Sequence, residues 1–148
     1  MLLSSYNSLE ASKNVQDRIE FDRIENSFEF MRRWDSPSLK EARDYTRKIK
    51  KEKDKLSPEE LYKRIEGPYQ EENEIEKQES LQRSIITMFN YFEEIKLSID
   101  HNRVHGEVLK IALREPYLDI FERFQPWLKK RNLESQLKLL EELRNKWL

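Results

Sequence analysis

The stretch that decides the fold is Leu81-Gln82-Arg83-Ser84-Ile85-Ile86-Thr87-Met88-Phe89-Asn90-Tyr91-Phe92-Glu93-Glu94-Ile95-Lys96-Leu97-Ser98-Ile99. Leu81, Ile85, Met88, Phe89, Phe92, Ile95 and Ile99 recur every three or four residues, with Ile86 beside them. That period is the signature of one apolar face on an α-helix. Glu93 and Glu94 interrupt it only on the flank. This helix is expected to be the hub of the core, with Phe92 as a buried anchor. Towards the N-terminus lies an acidic run, Glu71, Glu72, Glu74, Glu76 and Glu79 against Lys77. Negative charge at a helix start is favourable.

Further upstream, Ser57-Pro58-Glu59-Glu60 reads as a capping box with Pro at the first helical position. It opens a short helix carrying Leu61 and Ile65, which Gly67-Pro68 closes. Before it, a helix from about Pro37 to Lys53 carries Leu39, Ala42, Tyr45 and Ile49, and Ser36 is expected to cap it. The first helix is expected from about Val15. Its stripe is Phe21, Ile24, Phe28 and Met31, with Phe30 and Trp34 as a second pair. Residues 1–14 lack periodicity and read as a loose lead-in, so the expected division is lead-in 1–14 and one helical domain 15–148.

Downstream, Asp100-His101-Asn102 reads as a turn, with Asp100 or Asn102 as the cap of a further helix. Val104, Val108, Ile111 and Ala112 mark that helix, which Glu115-Pro116 is expected to end. Tyr117, Phe121, Phe124 and Leu128 continue at helical spacing, with Pro126 expected to kink or end that segment. Leu133, Leu137, Leu140, Leu143 and Trp147 form a last stripe. No hairpin signal occurs. The expectation is an all-α, compact bundle of five to six amphipathic helices.

Composition agrees. The chain has 148 residues, about one domain. Charged residues make up 39%, far above the roughly 25% of ordinary domains, so the outer helix faces must be strongly solvated. The 7 Phe, 6 Tyr and 3 Trp supply large buried area where the apolar fraction is only 36%. With 28 basic and 29 acidic residues, the net charge of −1 exerts no global pull on nucleic acid or anionic membrane. There is no Cys and there are 2 Gly, which excludes a disulfide scaffold, a thiolate zinc site and a Gly-rich phosphate loop. No apolar run reaches the ~20 residues of a membrane span, and the N-terminus has no secretory pattern. A cytoplasmic location is expected.

Catalytic constellations are sparse. His101 and His105 lie four apart, a spacing that can hold a metal on one helical face, with Glu94, Glu107 or Glu115 as a third ligand. The bland reading, polar residues at a helix start, is preferred, and no cofactor or metal is expected. The Arg-then-His spacing of small helical ribonucleases is absent: Lys96 stands five before His101, and Arg103 only two before His105. No nucleophile motif occurs. The basic run Arg47 to Lys55 is the best electrostatic patch. Arg47, Lys48, Lys50, Lys51 and Lys53 are candidate phosphate contacts, diluted by Glu52 and Asp54. Leu137, Leu140, Leu143 and Trp147 form a candidate partner surface, because the last helix carries more apolar surface than one face requires.

The string Phe92-Glu93-Glu94-Ile95, then Pro126-Trp127, Lys130-Arg131 and a final helix ending at Trp147, resembles a prokaryotic helical domain of unknown function. Arg23-Ile24, Trp34-Asp35-Ser36-Pro37 and Ala42-Arg43 are similar to its first two helices. The resemblance covers roughly residues 17–147. Members are often tethered by an N-terminal membrane anchor, which this sequence does not show. The resemblance implies a helical fold and brings no catalytic residues. The expected function is therefore a non-enzymatic interaction, regulatory or accessory module that docks on a protein partner or forms a homo-oligomer. A nucleic-acid-associated protein using the basic helix end is the first alternative, and a metal-dependent hydrolase built on the two histidines is the second.

Overall fold

A computed structural model describes residues 2–50, 57–67, 72–131 and 133–148; for 2–7, 48–50, 72–75 and 77–78 it describes the backbone alone. The described residues form six helices and no strand: α1 (Leu2–Trp34), α2 (Pro37–Lys50), α3 (Pro58–Glu66), α4 (Glu72–Asp100), α5 (Gly106–Lys130) and α6 (Glu134–Trp147). None is long and apolar enough to cross a membrane.

The central helix is α4, which touches α2, α3, α5 and α6. Its expected face is the one that packs: Ile85, Met88, Phe89, Phe92, Ile95 and Ile99 are buried, and Leu81 is partly so. Around Phe92 the aromatics link the helices. Tyr91 meets Phe30 and Trp34 of α1, and Tyr117 of α5 touches Phe92, Phe121 and Trp147. Buried hydroxyls find carbonyls: Tyr91 donates to Phe30 O at 2.6 Å, and Tyr117 donates to Leu140 O. These bonds tie α1 to α4 and α5 to α6, and leave neither phenol orphaned.

The capping box at α3 forms as expected. Ser57 Oγ accepts from Glu60 N at 3.2 Å, and Glu60 Oε2 accepts from Ser57 N at 3.4 Å. The helix closes at Gly67, whose φ of 85° suits a residue without Cβ. At α2, by contrast, Ser36 turns its hydroxyl back to Arg33 O at 2.6 Å, so it closes α1 instead of capping the next helix. Asn102 takes a φ of 55°, and the helix start moves past the expected caps to His105, which makes no side-chain cap bond.

Three sequence expectations are corrected. First, α1 begins at Leu2, ahead of the start expected near Val15, so the described residues of 1–14 are helical. Residues 8–20 are all exposed; with no buried face there is no periodicity to read, but no Gly or Pro stops the helix either. Second, α1 packs through Ser27, Phe30 and Trp34, while Phe21, Ile24 and Phe28 are exposed. The two stripes lie on different sides of the helix, and the bundle can cover only one. Third, α5 runs unbroken through Pro116 and Pro126. Neither proline can donate to the carbonyl four residues before it, that of Ala112 or Glu122, and both of those residues are exposed. Buried Leu113, Tyr117, Phe121, Phe124 and Trp127 hold the helix on both sides. Its inner face starts with Leu109 and Leu113, whereas Val108 and Ile111 are exposed.

Candidate functional site

Where α2 and α5 run near each other, they leave a cavity of about 500 Å³. Spacing explains its walls. Arg43 and Arg47 are four apart on α2, so they share a side of that helix; Thr46, between them, is buried. Pro116, Asp119, Ile120 and Arg123 form one stripe of α5. Trp34 at the end of α1 and Met88 of α4 complete the lining with Glu115.

Arg123 is the unusual residue. Its side chain is 4% exposed and stands among the apolar positions Ile120, Phe124 and Trp127. A guanidinium so enclosed needs partners. One Nη donates to Asp119, a turn earlier, and the other donates to Thr46 O at 3.0 Å, across to α2. The Nε–H is enclosed and makes no hydrogen bond. The Nε–H of Arg43 is in the same condition. Arg43 stacks over the Trp34 ring at 4.5 Å and approaches Asp35 only to 4.0 Å. Among the described residues these are the two buried side-chain polar atoms without a hydrogen bond; both residues line the one cavity, but the Nε atoms themselves are closed off from it. Such donors typically cost about 1–3 kcal/mol each if nothing meets them.

Two tyrosines near this layer are held neutral. Burial pushes the Tyr91 phenol well above its ordinary value, with Arg33 and Arg43 partly opposing the shift. Burial does the same at Tyr117, opposed by Arg144.

The sequence candidates fall elsewhere or inside. Arg47 is exposed and pairs with Asp44 at 3.4 Å. The side chains of Lys48 and Lys50, and Lys51 and Lys53 altogether, lie outside the described residues. Leu140, Leu143 and Trp147 are buried, and Leu137 is partly buried against the core. The stripe expected as a partner surface therefore closes the domain instead, because α4 and α5 both pack on α6. Arg114 of α5 donates to Trp147 O at 2.6 Å and fastens that end. His101 lies exposed in the turn after α4. His105 Nε2 meets Glu20 Oε1 of α1 at 2.6 Å, and its backbone N–H donates to Ser27 Oγ at 2.8 Å. Glu94 pairs with Arg33 at 2.7 Å. Among the described residues no three His, Cys, Asp or Glu side chains converge on a metal-sized site.

Sequence reading missed Arg43 and Arg123. The signal at Arg123 was present: a charge inside the apolar stripe of α5, with an acid four residues before it.

A second feature is the uncovered side of α1. At 33 residues the helix is about 50 Å long. Among the described residues its tertiary hydrogen bonds and ion pairs lie in its second half, among them Glu20 to His105, Arg23 to Asn102 O, Asn26 to Arg103 O, and Arg33 to Glu94. Leu9, Val15, Ile19, Phe21, Ile24 and Phe28 remain exposed, Phe21 by 61%.

Comparison with known proteins finds one matching family model, DUF4760, described as a domain of unknown function, over residues 3–147. No curated protein and no solved structure matches the chain.

Proposed function

From the premise that the chain belongs to the DUF4760 family of domains of unknown function, we propose that it is a non-enzymatic interaction module that docks a protein partner through the uncovered side of α1. The observation that carries this reading is the row Phe21, Ile24 and Phe28, exposed on the side of α1 away from the bundle. Scattered apolar residues on a surface need no explanation, but three large ones aligned on one helix face form a patch of the kind that partners cover. Residues 8–19 of the same helix, all exposed, support it. A helix with few tertiary contacts is marginal in water, so a partner along α1 would add the packing that the bundle does not supply. The reading makes the protein an accessory subunit of a larger assembly. Its charge-dense surface and lack of cysteine suit work in the cytoplasm.

The test is native co-purification of the tagged protein from its own cells, beside the double variant Phe21→Lys, Phe28→Lys. Sedimentation is measured on both. Both positions are exposed, so the variant should keep its helix content. A stoichiometric partner, or a dimer of the chain itself, that is present with the native protein and lost with the variant supports docking through α1. A partner retained equally by the variant overturns it, as does a strict monomer with nothing bound in both preparations.

A further inference from the structure

We infer that the partner seated on α1 is a second copy of this chain, paired antiparallel through the same face. The inference rests on the docking reading above and names its occupant. Asp17, Phe21, Ile24, Phe28 and Arg32 follow at spacings of four, three, four and four, so they share one face of α1 over about 23 Å. All five are exposed. Three apolar side chains stand in the middle, with an acid at one end and a base at the other. Such a face is complementary to itself when turned end for end. A two-fold axis near Ile24 sets Ile24 on Ile24 of the second copy, Phe21 opposite its Phe28, and Asp17 opposite its Arg32. The last two contacts each occur twice, as the symmetry requires.

The flanking charges agree with that register. Arg18 and Glu29 lie eleven apart, three turns, on the flank beside Arg32, and the same axis brings each opposite the other. Each end of the face then holds Asp17 and Arg18 of one copy beside Glu29 and Arg32 of the other, two charges of each sign. Glu29 and Arg32 already hold each other at 2.7 Å, whereas among the described residues Asp17 and Arg18 have no ion pair. A parallel pairing would set all four against their own kind, so charge selects the antiparallel one. One like contact remains: Glu25, beside the axis, meets Glu25 of the second copy, and its exposure leaves it free to turn towards water. Exposed charges set orientation more than affinity, which falls to the three apolar residues. A face this short gives a weak, concentration-dependent dimer.

The chain has no cysteine, so introduced thiols report on the pairing without background. Full-length Asp17→Cys and Arg32→Cys are purified separately, then oxidised mildly at about 100 µM, alone and mixed. Both positions are exposed, so neither variant should lose helix content. The mixture should link into dimers about fivefold or more faster than either variant by itself, because pairing raises the local thiol concentration only between unlike positions. Sedimentation of the native chain should show monomer near 1 µM and dimer growing towards about 200 µM. Phe21→Lys with Phe28→Lys should abolish both effects, and Glu25→Gln should tighten the dimer by removing the like contact. Either variant linking to itself as fast as the mixture overturns the antiparallel pairing. A native chain still monomeric at about 200 µM overturns the second copy. If another protein then co-purifies and is lost with the double Lys variant, docking by α1 stands and only this occupant falls. A dimer unchanged by the double Lys variant overturns pairing through this face.

Discussion

At the scale of single residues, the core is governed by large side chains with little room to relax. Phe92 is fully buried, with rings of Trp34, Tyr91 and Tyr117 around it. Truncation leaves a hole that those rings cannot collapse into, so Phe92→Ala should cost about 3–5 kcal/mol of unfolding free energy in urea titration. A loss under about 1 kcal/mol would mean that the site is not enclosed. Phe92 was legible in the sequence, since its place on a seven-member stripe admits only a buried reading. Arg43 was not. Whether an arginine beside a buried alanine faces water or another helix depends on what lies opposite, and its own sequence neighbours do not say.

At the scale of elements, local signals worked where the cause is local. The capping box needs only Ser57, Glu60 and the intervening turn, so it was readable and it formed. Ser57→Ala should remove one of its two bonds and cost about 1 kcal/mol. Trp127 Nε1 donates to Glu66 of α3 at 3.0 Å, so loosening of α3 should appear in tryptophan fluorescence before global unfolding. An unchanged midpoint and spectrum would show the cap to be idle. The prolines of α5 show the reverse. A Pro breaks a helix when nothing else holds it, but here the packed aromatics on either side outweigh two missing hydrogen bonds at exposed residues. The first helix shows a third case. Two apolar stripes were visible on it, and periodicity alone could not choose which one the bundle would cover.

At the scale of the whole molecule, stability should depend on pH at the alkaline end. Tyr91 and Tyr117 have folded pKa values raised above the ordinary value of 10.0 by burial. Below pH 10 both are protonated in the folded and unfolded states, and the contribution is fully present. Above it, the unfolded chain loses protons that the folded chain keeps, so unfolding becomes more favourable as pH rises. The slope should reach at most about 1.4 kcal/mol per pH unit for each tyrosine. Tyr91→Phe should reduce the slope between about pH 10 and 12 in denaturant titrations, although it also removes the bond to Phe30 O. An equal slope in the variant would assign the alkaline loss to other groups. At the same scale, Phe21→Lys with Phe28→Lys should leave monomer stability within about 0.5 kcal/mol, since both side chains already face water. Thermal unfolding of the isolated chain checks this, and a larger loss would show that α1 is held by these residues.

By itself the sequence determined the helical class, the central helix with its buried face, the α3 cap and the lack of any span-length apolar run, because each depends on residues close together in the chain. The tertiary structure decided which stripe of α1 is covered, that α6 closes the domain instead of presenting Leu140, Leu143 and Trp147 outward, and that Arg43 and Arg123 meet at one cavity. These outcomes depend on how much surface the neighbouring helices can cover and on charges separated by some eighty positions, quantities that no local spacing records.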